Sequence, residues 1–359
     1  DFVLIAGLNV LEDERTILEV IEEIKKVTKE LEIPFIFKAS YDKANRSSIE
    51  SYRGPGIDKG LDILGKLKSD HDLLIISDVH SPEEAINNQE VQAVFIASTT
   101  TTHIKYIILS AKAGKPTLCE KPIDLDIDKV NNCYNEIKNL NVPIQIGFNR
   151  RFDESHKKLK LAKDKGEIGN LEMIIITSRD PSPSTVEYHK TSGGLFRDCT
   201  IHDFDLSRFY LDNDPIVEIS AFASNLVSED LRKIGDYDTA MILMKSKNGV
   251  LIHINNSRRS VYGYDQRVEI FGSKGMLISN NQTQTSVEKF NKEGTFVKEP
   301  ILDFFIERYD QAYKSQLNDF IIKIEENKKP SVTYEDGQSA LILANAAYES
   351  LEKNTKIKL

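Results

Sequence analysis

Little sulfur, no long apolar stretch and no excess of positive charge characterise this chain of 359 residues. Its three cysteines, Cys119, Cys133 and Cys199, lack CxxC spacing and cannot pair off evenly. That argues against a disulfide framework or a zinc knuckle, so no metal site is expected and a reducing compartment fits best. No segment approaches the roughly 18 consecutive apolar residues of a spanning helix, which argues against a membrane partner. The balance of 47 basic and 56 acidic residues, net −9, argues against nucleic acid or acidic lipid as the main partner. No basic leader precedes the apolar run Phe2-Val3-Leu4-Ile5-Ala6, so the expected location is cytoplasmic. The chain opens at Asp1 without Met, and its natural start is expected upstream.

What is present is unevenly spread. Asp1 to Asn88 holds 11 basic and 18 acidic residues, −7 of the total −9. Such asymmetry marks either a boundary or one acidic surface helix. Strand and helix signals alternate through the first 150 or so residues, which predicts a mostly parallel sheet with helices on both faces. From about Gly147 strands dominate, among them Met173 to Thr177, Ile216 to Ala223 and Thr239 to Met244. These predict a second domain on a large, mostly antiparallel sheet. The Ala- and Leu-rich stretch from Gln338 to Leu351 predicts a helix that packs back on the first domain.

Two segments stand where ligands of open α/β sheets bind, at the carboxyl ends of strands. They are Ser98-Thr99-Thr100-Thr101-Thr102-His103 and Glu120-Lys121-Pro122. Taken alone, either is equally well a solvated loop. Further on, Gly193-Gly194 opens a helical pattern that puts Asp198 and His202 four residues apart, on one face of a helix. An Asp beside a His orients the ring and favours its protonated form, which suits a general base near neutral pH. The alternative at this point is structural: Asp198 begins the helix and His202 fills a gap.

From about Ala85 to Leu359 the chain resembles the glucose–fructose oxidoreductase and inositol dehydrogenase family. The matching pieces are Ser98 to His103, Glu120 to Pro122, Gly147-Phe148-Asn149-Arg150-Arg151-Phe152-Asp153, Ser178-Arg179-Asp180-Pro181, Asp198 to Asp205 and Tyr262 to Arg267. The resemblance implies an NAD-dependent oxidoreductase acting on a cyclic polyol. It implies His202 as the base for the hydroxyl proton, Asp198 as its support, and Lys121 as donor to the reacting hydroxyl, with a cis bond before Pro122. Ser98, Thr99, His103, Glu120, Lys121 and Arg151 are the implied cofactor contacts, and Tyr188 and Tyr264 the implied substrate contacts. Relatives build dimers or tetramers, so a homo-oligomer is expected by analogy.

The first quarter departs from this pattern. A dinucleotide site needs a Gly-rich turn after the first strand and an acidic residue about 20 positions on. Here the turn reads Gly7-Leu8-Asn9-Val10-Leu11-Glu12, and the second strand runs into Lys38. The segment from Phe2 to about Pro82 instead resembles the 3-deoxy-manno-octulosonate 8-phosphate synthase family. That rests on Phe2 to Gly7, Pro34-Phe35-Ile36-Phe37-Lys38-Ala39-Ser40, Asp42 to Ser48, Arg53-Gly54-Pro55-Gly56 and Ser77-Asp78-Val79-His80. It implies Lys38, Lys43, Asn45, Arg46 and Ser47 as contacts for phosphoenolpyruvate or a sugar phosphate. Only the first three strands of that family's (β/α)8 barrel are present.

The sequence therefore reads as a chimera of α/β class. Its expected parts are a synthase-like βαβαβ segment over 1–84, the remainder of a Rossmann-like dinucleotide-binding domain over 85–146, an α+β substrate and oligomerisation domain over 147–337, and a C-terminal helix over 338–359. The leading expectation is an inositol 2-dehydrogenase-type activity impaired by loss of the Gly-rich turn. The alternatives are a transferase condensing phosphoenolpyruvate with arabinose 5-phosphate, and an inactive fusion.

Overall fold

The computed structural model describes residues 3–42, 52–78 and 82–359. It divides into two units, Asp1–Val91 and Gln92–Leu359.

The first unit is built from β1 (Leu4–Leu8), α1 (Glu14–Glu30), β2 (Phe35–Ala39), α2 (Ile57–His71), β3 (Leu74–Ile76) and α3 (Pro82–Asn87). The strands are parallel and ordered β1-β2-β3, with Ala6 opposite Phe37 and Phe37 opposite Ile75. This order is common to the start of a barrel and to half of a doubly wound sheet. Asp13 caps α1, accepting from Thr16 N at 3.0 Å, and the three- and four-residue spacing in α1 buries Ile17 and Ile21. These pack with Leu11, Phe37, Leu64 and Leu67 into one small core. On the strands of this unit Ile5, Leu74 and Ile76 are exposed. Strands of alternating exposure, rather than continuous burial, are the result.

The second unit opens with β4 (Val94–Ile96), α4 (Thr100–Lys112), β5 (Thr117–Cys119), α5 (Ile127–Ile137) and β6 (Ile144–Ile146), again a parallel sheet in chain order. The threonine run is thus the first turn of α4 rather than a loop. There follow a 3-10 turn (Asn149–Phe152), α6 (Glu154–Asp164), β7 (Leu171–Arg179), α7 (Val186–Ser192), α8 (Gly194–Asp198) and α9 (Ile201–Leu211). Then come β8 (Ile216–Ser224), α10 (Glu229–Lys233), β9 (Thr239–Ser246), β10 (Leu251–Ser257), β11 (Asp265–Gly272) and β12 (Gly275–Ser279). A hairpin of β13 (Glu288–Asn291) and β14 (Gly294–Lys298), α11 (Phe305–Glu325), α12 (Tyr334–Lys353) and β15 (Ile357–Lys358) complete it.

Seven of these strands form one sheet, ordered β12-β11-β7-β10-β9-β8-β15, antiparallel except where β7 meets β10. The mostly antiparallel second sheet is therefore present. Its strands alternate: on β9, Ala240, Ile242 and Met244 are buried while Met241 and Leu243 are exposed. The buried face packs against Phe196 of α8, Phe204 and Tyr210 of α9, and Leu343 to Ala347 of α12. The first half of α12 lies instead in the core of the small parallel sheet, through Tyr334, Ala340 and Leu341. A Cβ on Gly337 would stand 2.7 Å from Ile123, so that position holds α12 close to the segment after β5. The C-terminal helix begins earlier than the expected residue 338, at a capping box of Thr333 and Asp336.

Candidate active site

Several elements bring side chains to a cleft of about 240 Å³ within the second unit. The chain leaves β5 at Glu120 and turns through a cis Lys121–Pro122 bond, the isomer expected from sequence. Lys121 Nζ then donates to the backbone oxygen of Asp198 at 2.8 Å and to its Oδ1 at 3.1 Å. Asp198 ends α8, a short helix made possible by two glycines in the left-handed region. Gly193 has φ +91° and Gly194 φ +79°, and a Cβ on Gly194 would stand 2.4 Å from the Tyr348 hydroxyl. Tyr188, on α7, donates its hydroxyl to Asp198 Oδ1 at 2.7 Å.

The expected Asp198–His202 pair does not form. α8 stops at Asp198 and α9 starts at Ile201, so the two residues stand on separate helices despite their four-residue spacing. Asp198 is instead held by Lys121, Tyr188 and Arg258, whose Nη2 reaches Oδ2 at 2.9 Å. Burial alone would raise its pKa, but Lys121 and Arg258 overcome this and hold it well below the usual carboxylate range. His202 lines the same cleft, packed edge-on to Phe148 at 5.8 Å, with Nδ1 unpartnered. Burial, then Arg150 and Lys121, push its pKa well down. The sequence reading had the protonated form favoured. The structure favours the neutral imidazole, because burial and then the Arg150 and Lys121 cations disfavour its charged form.

The remaining candidates divide. Tyr264 lines the cleft, its hydroxyl 3.4 Å from Arg150 Nη2. Ser98 and Thr99 lie at the carboxyl end of β4, where Ser98 Oγ meets Thr102 Oγ1 at 2.6 Å and Thr99 stands at the N-cap position of α4 without a side-chain bond to it. Glu120 is partly exposed, with burial raising its carboxyl pKa, and a Cβ on Gly147 would stand 2.8 Å from its Oε2. His103, expected at the cofactor, is buried with Nδ1 2.8 Å from Pro122 O and Nε2 3.0 Å from Ser98 O. It ties the ends of β4 and β5 together and has no nitrogen left for a ligand. Arg151, also expected at the cofactor, is taken up by Asp205, at 2.6 and 2.8 Å, and by Asp336. Its neighbour Arg150 lines the cleft in its place, bonding Asp203 and Ser178 at 2.8 and 3.0 Å.

Arg258, Asp180, Tyr309 and Tyr313 also line the cleft, and sequence reasoning missed them. Asp180 lay inside a quoted motif and Arg258 directly follows β10, but nothing local marks either as inward-facing. In the first unit, Lys38 Nζ is 2.7 Å from Asp78 Oδ2 and 3.1 Å from Ser40 Oγ. Lys43, Asn45, Arg46 and Ser47 lie outside the described residues.

A dinucleotide needs a helix N-terminus open to its pyrophosphate. The β1–α1 junction does not fit one. Val10 and Leu11 are buried in the core, and the N-cap is the carboxylate of Asp13, flanked by Glu12 and Glu14. A Cβ on Gly7 would strike Lys38 O at 2.2 Å, so this glycine admits the β2 backbone rather than a phosphate. Among the described residues no cluster suits a metal ion, and no helix is long and apolar enough to cross a membrane.

Comparison with known proteins finds two families, whose matches overlap over residues 156–170. The GFO/IDH/MocA C-terminal domain family matches residues 156–278, and the DAHP synthetase I family matches residues 1–170. The second match supports a chimera-like signal at the start of the chain, from a barrel-type synthase. Myo-inositol 2-dehydrogenase of Thermotoga maritima is 44% identical over 278 residues, 77% of this chain and 83% of its own length. Inositol 2-dehydrogenase of Rhizobium meliloti is 42% identical over 270 residues, 75% and 81% of the two chains. A probable dehydrogenase from Thermotoga maritima superposes with a TM-score of 0.77 at 37% identity, covering 99% of both chains. Scyllo-inositol dehydrogenase from Lactobacillus casei, solved with NAD(H) and scyllo-inositol, gives 0.72 at 28% identity, again covering 99% of both. The chain belongs to the GFO/IDH/MocA family, where inositol 2-dehydrogenases are its relatives, and is a dehydrogenase-like enzyme by its larger part.

Proposed function

We propose that the cleft of the second unit binds a cyclic polyol and oxidises one of its hydroxyls, with a nicotinamide dinucleotide as the intended hydride acceptor. The carrying observation is the meeting of Lys121, Asp198, Tyr188 and His202 in one cleft. Neutral His202 takes the hydroxyl proton; an imidazole with a depressed pKa is unprotonated and ready at neutral pH. The Lys121 ammonium has three N–H donors, of which Asp198 takes two, and the third steadies the substrate oxygen as negative charge develops. Tyr188 and Tyr264 orient the ring, while Ser98, Thr99 and Glu120 stand at the strand ends on the cofactor side.

The β1–α1 turn does not fit the pyrophosphate of a dinucleotide. That mismatch favours a second reading, a folded but weakly active fusion. A synthase-type transferase is not favoured: the described residues of the first unit form three strands, and Lys38 is already paired with Asp78. The deciding experiment follows reduced nicotinamide by absorbance with myo- and scyllo-inositol, with Lys121→Ala and His202→Ala as controls. Turnover that falls by ~10²–10⁴ in the controls supports the site. Equal rates in wild type and controls would remove it.

The open face of the seven-stranded sheet exposes Phe222, Met241, Leu243, Leu251, Phe271 and Met276. A second copy of this chain is the natural occupant of so apolar a face, giving a dimer or tetramer that light scattering would reveal. Three free, buried thiols suit a reducing cytoplasm.

A further inference from the structure

Two arginines of the cleft, Arg150 and Arg258, have no task in the proton-transfer reading. Arg258 directly follows β10, is fixed by its backbone N–H on Asp238 O at 2.7 Å, and has a side chain only 5% exposed. Its guanidinium spans two carboxylates, Nη1 to Asp180 Oδ2 and Nη2 to Asp198 Oδ2, both at 2.9 Å. Lys121 and Tyr188 share the other carboxylate oxygen of Asp198. Four charges therefore alternate in sign along one line of contacts: Asp180, Arg258, Asp198, Lys121. Arg150, the other buried arginine of the cleft, bonds Asp203, Ser178 and Tyr264 and takes no part in this line.

A carboxylate swings about two single bonds unless both oxygens are held. At Asp198 the two donors on Oδ1 belong to side chains that would follow the carboxylate if it turned. The planar, two-ended guanidinium is the partner that fixes its direction, because Asp180 anchors the far end. We propose that Arg258 is a positioning residue for polyol oxidation: it clamps Asp198 to Asp180, and so keeps the third N–H of Lys121 free for the reacting hydroxyl. This rests on the dehydrogenase reading of the cleft, but its geometry is testable without turnover.

The test compares wild type with Arg258→Lys, which keeps the charge but cannot span both carboxylates, and with Asp180→Asn, an isosteric change that loosens the anchor. Trace acetylation by acetic anhydride, read peptide by peptide in a mass spectrometer, reports how firmly the Lys121 amine is held. Loss of a charge-assisted hydrogen bond predicts Lys121 labelling about tenfold faster in Arg258→Lys, with a smaller increase in Asp180→Asn. In turnover, kcat with scyllo-inositol should fall about 10- to 100-fold in Arg258→Lys while KM changes less than about threefold, the pattern of an interaction made in the transition state. Lys121 labelling within about twofold of wild type in a folded Arg258→Lys protein would overturn the proposal. If that variant does not fold, unchanged labelling in Asp180→Asn overturns it instead. Wild-type protein that labels as expected but turns over no polyol refutes the dehydrogenase reading and leaves the clamp standing.

Discussion

Arg150 and Arg151 are neighbours in the chain and serve opposite sides of α9. Arg150 Nη1 bonds Asp203 at 2.8 Å and faces the cleft, while Arg151 Nη2 bonds Asp205 at 2.6 Å and reaches Asp336. The 3-10 turn at Asn149–Phe152 separates successive side chains by a third of a turn, and Asp203 and Asp205 are about 200° apart around their helix.

The first prediction follows from this division. Arg151→Met leaves the buried carboxylate of Asp205 without its partner and should cost about 3–5 kcal/mol of unfolding free energy. Denaturant titration measures it, and a loss below about 1 kcal/mol would show the pair to be dispensable. The double variant Arg151→Met with Asp205→Leu should recover most of the loss, because no orphaned charge remains.

The same pair shows what was legible in the sequence. The run of strand-like segments after Gly147 gave away the large sheet, and in the structure Ile242 and Met244 face its core while Met241 and Leu243 do not. The place of Lys121 at a strand end followed from the strand pattern, and the cis bond at Pro122 from the family resemblance. Which arginine faces the cleft did not, because a single turn of backbone decides it. The Asp198–His202 spacing misled for a similar reason: Thr200 Oγ1 is drawn to Asn256 at 2.7 Å, and the helix breaks between the two residues. α11 passed unread because exposed Leu317, Ile321 and Ile322 blur the stripe formed by buried Tyr309, Ala312 and Phe320. Arg258 and Asp180 meet across 78 positions, a pairing no local pattern encodes.

Gly194→Ala should destabilise the protein by about 1–3 kcal/mol, since a left-handed φ and a close contact coincide there. A Cβ would meet the Tyr348 hydroxyl at 2.4 Å and Asp236 Oδ1 at 2.7 Å. α8 must shift, and Asp198 with it, so turnover should fall even at temperatures where the variant remains folded. Gly235→Ala, with open space around its Cβ but φ +76°, provides a control for strain without collision.

His156 should weaken folding on acidification between about pH 6.5 and 4. Burial lowers its pKa from 6.5 to about 4 despite the neighbouring Asp153. Below pH 6.5 the unfolded chain binds a proton that the folded chain refuses, so folding weakens as pH drops and levels off near pH 4. A shift of this size corresponds to about 3 kcal/mol. Asp203, raised by burial to about 6, acts in the opposite sense and loses its contribution as pH rises through that value. The difference between wild type and His156→Asn isolates the histidine. A difference that does not change between pH 7 and about pH 4 would contradict the assignment.

The acidic turn after β1 predicts weak dinucleotide binding. In place of backbone open to a pyrophosphate, α1 presents Asp13, whose Oδ1 and Oδ2 already accept from Thr16 N at 3.0 Å and Thr16 Oγ1 at 2.7 Å. An anion brought there meets a carboxylate where a favourable helix terminus would have stabilised it by up to about 2 kcal/mol. NADH should therefore bind at least about tenfold more weakly than to the Lactobacillus casei scyllo-inositol dehydrogenase titrated alongside. Asp13→Ser keeps a cap and removes the charge; the gain in affinity should be at most about tenfold, because buried Val10 and Leu11 still fill the space that glycines leave open. Equal affinity for the two proteins would mean that the dinucleotide is held without this turn, by the strand ends of the second unit alone.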